Sequence, residues 1–189
     1  MSEAPAMAAL TAAETGLDLA ALLPHRAPIL MLDRLLSLDP GREARALKDV
    51  RADDRCLEGH FPGYPVMPGV LVIEALAQTA CALAMASLEA PQQGRWPVLL
   101  SIDQARFRRA VRPGDRLELH VRCTRAWGPF WRFEATASVD GLTAAQARLL
   151  ATMTAALPLL AAANAPHPAP SMNRIGCAAG LPMVNEKTA

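Results

Sequence analysis

The sequence predicts an α+β fold in which an antiparallel sheet surrounds one long helix. From Gly69 to about Glu89 the chain is apolar on most sides, which corresponds to about 30 Å of helix and is typical of a helix buried by protein. Two later segments, 117–124 and 131–139, alternate apolar and polar residues with the period of a half-buried strand. One helix and several strands that could wrap it therefore define the expected core.

The N-terminal part is expected to contribute shorter elements. Residues 1–16 are small, polar and unpatterned, so we expect a flexible extension. A short helix follows and ends at Pro24, an apolar run continues to Leu38, and Asp39-Pro40-Gly41 predicts a turn. The segment EARALKDV (43–50) after that turn is expected to be a short strand.

The C-terminal part begins with a segment that allows two interpretations. In GLTAAQARLLATMTAAL (141–157) the alanines favour a helix, whereas the preceding Asp140-Gly141 turn favours a hairpin strand. From Pro158 to Ala189 prolines recur without periodicity, which indicates a disordered Pro/Ala-rich tail. The folded domain is therefore expected over 17–157.

Composition excludes several classes of protein. A net charge of +1 argues against a general nucleic-acid binder, and four widely spaced cysteines without a CxxC pair indicate neither a disulfide framework nor a metal site. The first 20 residues contain Glu3 and Glu14 and no basic residue, unlike a secretory signal, so we expect a cytoplasmic protein. Glu74 and Gln78 inside the apolar helix argue against a membrane span.

The candidate chemistry lies at the entrance of the long helix. In EGHFPGYPVMPG (58–69) three prolines and three glycines surround His60, so the loop can hold this side chain in place. A helix that starts near Gly69 presents free N–H groups, which would stabilise negative charge on a substrate carbonyl. Glu74 lies about one and a half turns further, with Gln78 on the same face.

A structural explanation is available for each of these side chains alone. A lone histidine in a loop is more often structural, and a buried glutamate can be satisfied by an arginine or by backbone groups. Together, His60 and Glu74 could supply the two proton-transfer groups of an elimination.

Three segments carry a resemblance to a known family. LLPHRAPILMLDR (22–34), GHFPGYPVMPGVLVIEALAQ (59–78) and IDQARFRRAVRPGDRLEL (102–119) resemble, in order and spacing, the beta-hydroxyacyl-acyl-carrier-protein dehydratases of the FabZ type. The resemblance covers roughly residues 17–155. It implies a hot-dog fold, in which the antiparallel sheet wraps the central helix, and a final strand in the Ala-rich segment. It also implies a homodimer, commonly assembled into a hexamer as a trimer of dimers, with active sites shared across the dimer interface.

The resemblance also implies roles for individual residues. His60 and, from the opposite subunit, Glu74 would be catalytic in the loss of water from a (3R)-3-hydroxyacyl thioester, giving a trans-2-enoyl thioester. Gly69 would polarise the thioester carbonyl through its N–H, and neither a metal nor a redox cofactor is expected. Substrate contacts are expected from Gly69, Phe61, Val70 and Gln78. His25 in the PHR motif is expected to be structural.

Some features leave alternatives open. Ala27, Cys56 and Leu57 stand where the family usually has aromatic residues, so the acyl tunnel is expected to differ in width. An arginine cluster is either a solvated surface or a landing patch for an acidic acyl carrier protein, and comprises Arg106, Arg108, Arg109 and Arg112. A hot-dog thioesterase and a non-catalytic partner of another dehydratase are the alternative functions.

Overall fold

One long helix and a seven-stranded antiparallel sheet form the folded unit. The computed structural model describes residues 10–11, 18–88 and 95–154. The helices are α1 (Leu19–Leu22) and α2 (Gly69–Ala86), with a 3₁₀ turn at Arg55–Leu57. The strands are β1 (Leu10–Thr11), β2 (Arg34–Asp39), β3 (Glu43–Asp49), β4 (Trp96–Phe107), β5 (Arg116–Trp127), β6 (Phe130–Val139) and β7 (Leu142–Thr154).

The sheet follows the order β1-β2-β3-β5-β6-β7-β4, and every neighbouring pair is antiparallel. Tight turns join β5 to β6 and β6 to β7. Gly128 and Gly141 adopt positive φ there, a conformation that glycine reaches without steric penalty. Most strands therefore pair with the next strand of the sheet in chain order. The exception is β4, which lies at the edge beyond β7 and pairs with it, so that β3 pairs with β5.

Helix α2 packs across the inner face of the sheet, against β3, β5, β6 and β7. Small residues on both surfaces allow this close approach, for example Ala75 on the helix and Ala135 and Ala145 on the sheet, all nearly inaccessible to solvent. Larger side chains such as Leu76 fill the remaining space, and truncation of such a residue to alanine costs about 2–5 kcal/mol.

The ends of α2 are held by different means. At the C-terminal end the Ser87 hydroxyl donates to Leu83 O and accepts from the Gly41 N–H at 2.7 Å, which ties the helix to the β2–β3 turn. At the N-terminal end Pro68 is the cap residue, and no side chain of the described residues caps the helix. The first N–H groups are therefore available to a ligand.

The α+β prediction is confirmed, including the final strand β7 in the Ala-rich segment. Its alanines favour helix weakly, but alternate residues such as Ala145 and Ala147 pack on α2, and this burial outweighs propensity. The long helix ends at Ala86, slightly before the expected limit. By length and composition α2 could cross a membrane, yet 61% of it is buried inside the fold, as in the core helix of a folded domain.

The predicted terminal segments fall largely outside the described residues. Within the expected flexible extension, 1–16, only Leu10–Thr11 are described, and they pair with β2. The expected disordered tail, 158–189, lies wholly outside the described part of the chain.

Candidate active site

The loop before α2 holds His60 through its own backbone. The His60 N–H donates to Leu57 O at 3.1 Å, and the Val66 N–H donates to His60 O at 2.8 Å. The peptide bond between His60 and Phe61 is cis, and Gly63 adopts a φ of +73°. The hydrogen bond from Val66 to His60 folds the loop back on itself, and its prolines restrict it further.

A second contact defines which nitrogen of His60 can react. His60 Nδ1 lies 2.7 Å from Val66 O. A carbonyl oxygen can only accept a hydrogen bond, so Nδ1 carries the proton and donates. In the neutral ring Nε2 then has a free lone pair, which is what a general base requires. Phe61 is stacked on the imidazole at 4.2 Å between ring centroids and is itself 56% exposed.

The N-terminus of α2 lies beside His60 in one pocket. Gly69 at the first turn approaches β4 so closely that a Cβ there would lie 2.9 Å from Phe107 Cε1. Only glycine allows this contact without displacing the Phe107 ring. No acceptor for the Gly69 and Val70 N–H groups is found within the described segments. They form a donor pair next to the histidine.

The histidine pocket has a volume of about 520 Å³ and is open to solvent. It is closed on one side by β4 and the chain that follows, and a β-bulge between Asp103 and Arg106 alters the course of β4 before it reaches the pocket. The lining includes the predicted residues His60, Gly69, Val70, Arg108 and Arg109.

Glu74 lies in a different pocket of the chain, further along α2. Its side chain is 30% exposed, and Oε1 accepts a hydrogen bond from Gln78 Nε2 at 2.8 Å. Gln78 is fully buried: Nε2 also donates to Ile29 O, and Oε1 accepts from the Met31 N–H, both at 2.8 Å. Because both backbone partners are fixed, the amide can have only one orientation and must donate to Glu74.

The glutamate pocket is a narrow apolar space of about 160 Å³. Helix α2 supplies small side chains to one wall and the sheet supplies larger ones to the other. The residues that line it, besides Glu74 and Gln78, are His25, Ala77, Ala80, Cys81, Ala84, Pro97, Leu99, Phe133, Leu149, Ala151 and Met153. Its shape and polarity suit an acyl chain with a single polar end.

His60 and Glu74 therefore do not line the same pocket within one chain. The His60 pocket is lined by the end of β4 and the start of β7, whereas the Glu74 pocket is lined by the later part of β7. Gly69, Val70 and His60 line one pocket, whereas Glu74 and Gln78 line the other.

Cys81 shares the glutamate pocket but is not a nucleophile. Burial raises the pKa of its thiol to about 12, and the negative charge of Glu74 acts in the same direction.

Among residues 10–11, 18–88 and 95–154 no group of three or more His, Cys, Asp or Glu side chains could hold a metal ion.

The four arginines of the predicted cluster differ in their surroundings. Arg109 faces Asp115 and Asp140 at 4.0 and 3.8 Å and donates to Val139 O. Arg112 stacks over the ring of Tyr64 at 4.5 Å, in the loop that carries His60. Arg108 donates to Gln146 Oε1 at 3.3 Å, and Arg106 is exposed on β4. Neither Arg106 nor Arg108 has an acidic partner among the described residues; Arg108 lines the histidine pocket, and Arg106 directly precedes the lining residue Phe107.

Sequence reasoning missed the apolar walls of both pockets. Phe107, the last residue of β4, lies between arginines in ARFRR (105–109) and gave no periodic signal, although this stretch falls within one of the family segments. Phe133 was recognised as an apolar position of an alternating strand, but not as a neighbour of Glu74, and Leu149 lies in the segment that the residues alone left open between helix and strand. His25, expected to be structural, lies 3.9 Å from Glu74.

Comparisons with known proteins agree with the predicted fold and family. A model of the FabA-like domain family matches residues 23–148. The 3-hydroxyacyl-[acyl-carrier-protein] dehydratase FabZ of Anaeromyxobacter sp. (strain Fw109-5) is 48% identical over 135 residues, 70% of this chain and 85% of the relative. The FabZ proteins of Burkholderia thailandensis and Myxococcus xanthus are 48% and 44% identical, over 71% and 70% of this chain and 85% and 86% of the relatives.

Solved structures support the same architecture. The dehydratase heterocomplex ApeI:P from Xenorhabdus doucetiae matches with a TM-score of 0.65 at 20% identity, over 78% of this chain and 98% of that one. The smu.793 protein of Streptococcus mutans, bound to acetyl CoA, matches with a TM-score of 0.54 at 16% identity, over 70% and 95% of the two chains. At these identities the likeness concerns the hot-dog fold alone. Given the matched family model and the identity to FabZ proteins over most of their length, the chain belongs to the FabZ-type 3-hydroxyacyl-[acyl-carrier-protein] dehydratases.

Proposed function

We propose that this protein is a hydro-lyase of fatty acid biosynthesis that converts (3R)-3-hydroxyacyl-acyl-carrier-protein thioesters to trans-2-enoyl thioesters. The observation that carries the proposal is the free Nε2 of His60 beside the uncapped N-terminus of α2. A base and a pair of N–H donors in one pocket can remove a proton next to a thioester carbonyl while stabilising the charge that develops on its oxygen.

The reaction needs two proton transfers. Neutral His60 takes the proton from C2 through Nε2, and the N–H groups of Gly69 and Val70 bind the carbonyl oxygen. Glu74 donates a proton, directly or through water, to the C3 hydroxyl. The C2–H and C3–O bonds break, the C2=C3 double bond forms, and the hydroxyl leaves as water.

Two subunits are required to complete this site. Within one chain His60 and Glu74 line different pockets, so we propose that each active site combines His60 of one protomer with Glu74 of another. Strand β4 supports an assembly of this kind. It ends the sheet and pairs only with β7 among the described strands, and it exposes large apolar side chains. These are Trp96, Leu99, Leu100, Ile102 and Phe107.

The proposed assembly is a homodimer, or a trimer of such dimers, in the cytoplasm. Apolar edge strands of this length are seldom left open to solvent, because they can pair with other chains. Phe61 and Val70 are also exposed, at 56% and 71%, and would be buried at the subunit interface or by the acyl chain.

The acyl carrier protein is proposed to dock on the arginines around the histidine pocket. The exposed Arg106 and Arg108 offer positive charge to an acidic partner, and Arg112 extends it through its contact with Tyr64. A thioester presented from this side would reach His60 and the N–H groups of α2 first.

Neither alternative function is favoured. A thioesterase would need a nucleophilic water or side chain at the thioester carbonyl, and Cys81 is held as an unreactive thiol. A non-catalytic partner would not require the base and the acid, and both are present in ordered surroundings.

The test is direct. The purified protein is incubated with a 3-hydroxyacyl thioester of acyl carrier protein, and loss of one water is followed by mass spectrometry beside His60→Ala and Glu74→Gln. We expect water loss in the wild type and its absence in both variants. Free thiol in place of water loss would identify a thioesterase, and no reaction at several chain lengths would support a binding partner.

A further inference from the structure

The His25 side chain lies at Glu74 without a hydrogen bond to any other described residue. Its side chain is 24% exposed, and Nε2 lies 3.9 Å from Glu74 Oε1. Nδ1 is buried and has no hydrogen-bond partner in the part of the chain that the structure describes. For packing alone an apolar side chain would be better, because an unpartnered buried polar group costs about 1–3 kcal/mol. The imidazole therefore has no role in the fold that explains its polarity.

The distance between the two side chains indicates how they interact. A separation of 3.9 Å is too long for a hydrogen bond, but it is short enough for a charge interaction or for one bridging water. Both side chains line the same apolar pocket, which strengthens electrostatic interactions relative to water. Gln78 already binds the Oε1 atom that faces His25, which holds the carboxylate beside the imidazole.

We infer that His25 is a positioning residue for Glu74, and that its Nε2 shares, directly or through one water, the proton that Glu74 delivers to the leaving hydroxyl. This inference rests on the proposed function and adds a third protonatable side chain to it. In each turnover the C2 proton passes to His60 and the Glu74 proton leaves in the water. Glu74 is then ionised, and its proton is replaced from solvent through His25 while His60 returns its own to solvent.

The charges around His25 permit this role. Burial lowers the pKa of His25 from its usual value, the Glu74 carboxylate opposes that shift, and Arg26 reinforces it. The Arg26 guanidinium is occupied by the carbonyl oxygens of residues 20, 23 and 25. Burial raises the pKa of the Cys81 thiol, in the same pocket, to about 12, so this thiol adds no negative charge near neutral pH. Within the described segments Glu74 is therefore the anion that acts on His25.

A kinetic test separates this role from packing. His25→Gln keeps a polar group near the position of Nε2 but cannot carry the proton. We expect kcat to fall by about tenfold or more with KM changed by no more than about twofold. Two groups that share one proton retain it to higher pH than either group alone. In His25→Gln the proton is held by Glu74 alone, so we expect the alkaline limb of the kcat profile to lie at lower pH than in the wild type.

His120→Gln is the matched control. His120 Nε2 lies 3.1 Å from Glu43 Oε2, so this histidine also faces a glutamate, but it belongs to the pairing of β3 with β5 and lines neither site pocket. We expect its kcat and pH profile to match the wild type. An active wild type with an unchanged profile in His25→Gln would overturn the inference and leave the proposed function intact.

A second measurement does not depend on turnover or on the folding of His25→Gln. The titration of His25 is followed by NMR of histidine-labelled protein in the wild type and in Glu74→Gln. Because the carboxylate raises the pKa of His25, we expect a lower pKa in the variant. An equal pKa in both proteins would overturn the inference. Absence of water loss by the wild type would instead overturn the proposed function, and this role in catalysis with it.

Discussion

The substitution Gln78→Met tests how the helix, the PHR loop and Glu74 are held together. Methionine keeps the length of the side chain and its methylene stem but replaces the amide with an apolar thioether. Gln78 is 0% exposed, and the change leaves the Met31 N–H and Ile29 C=O without the partners they have at 2.8 Å. The cost is about 1–3 kcal/mol for the buried Met31 N–H and smaller for the Ile29 C=O, whose contact is only partly buried, so the free energy of unfolding should fall by about 2–4 kcal/mol.

The assay is denaturant unfolding at one fixed protein concentration, because subunit assembly also contributes to stability. Thr79→Val is the control: Thr79 is also 0% exposed and adjacent on α2, but its hydroxyl makes only a hydrogen bond to Ala75 O at 2.9 Å. This change should cost about 0.5–1.5 kcal/mol. The reasoning is refuted if Gln78→Met destabilises the protein no more than Thr79→Val.

Three further predictions concern the pockets. Gly69→Ala should lower kcat/KM without lowering stability, since alanine suits a helix but its Cβ would displace the Phe107 ring, which lies 2.9 Å away, from the histidine pocket. The double charge reversal Arg106→Glu, Arg108→Glu should raise KM for carrier-bound substrate and spare short thioester mimics. Cys81 should be alkylated most slowly of the three cysteines that the structure describes when measured at pH 8, because its pKa is raised to about 12.

Each of these predictions has a contrary outcome. A stability loss in Gly69→Ala equal to its activity loss would mean that the glycine serves the fold. Arg45→Glu, an exposed arginine on β3, is the control for the charge reversal, and an equal effect on both classes of substrate would rule out a docking role. Rapid alkylation of Cys81, read by peptide mass spectrometry, would contradict its burial at 6% exposure.

The spacing of apolar residues along the sequence was sufficient to predict the helix and the strands that bury one regular face. The period of two in β5 and β6 follows from alternate residues packing on α2, and the buried apolar run of α2 reads directly as a helix. β7 was ambiguous because alanine packs well in either structure; the resemblance to a family resolved it. β4 gave no alternation because it is an edge strand, largely exposed, and contains Pro97.

Only part of the candidate site could be predicted from the sequence, because some of its contacts join residues that are distant along the chain. Proline and glycine spacing identified the loop around His60, and a carboxylate in an apolar helix identified Glu74. The close approach of Gly69 to Phe107 joins residues 38 positions apart, and the register shift in β4 between Asp103 and Arg106 has no signal in the residue pattern. His25 was expected to be structural. Sequence could not show otherwise, because the missing hydrogen-bond partner of its Nδ1 among the described residues is visible only in three dimensions.

The measurement that tests the shared active site most directly is complementation between two inactive variants. His60→Ala and Glu74→Gln chains with different affinity tags are co-expressed, and the mixed assembly is isolated through both tags. If each site combines His60 of one protomer with Glu74 of another, a mixed dimer retains one intact site, and we expect about half of the wild-type kcat per dimer. Each variant assembled alone, purified in the same way, is the control and should be inactive. A mixed assembly as inactive as these controls would contradict a site built from two subunits.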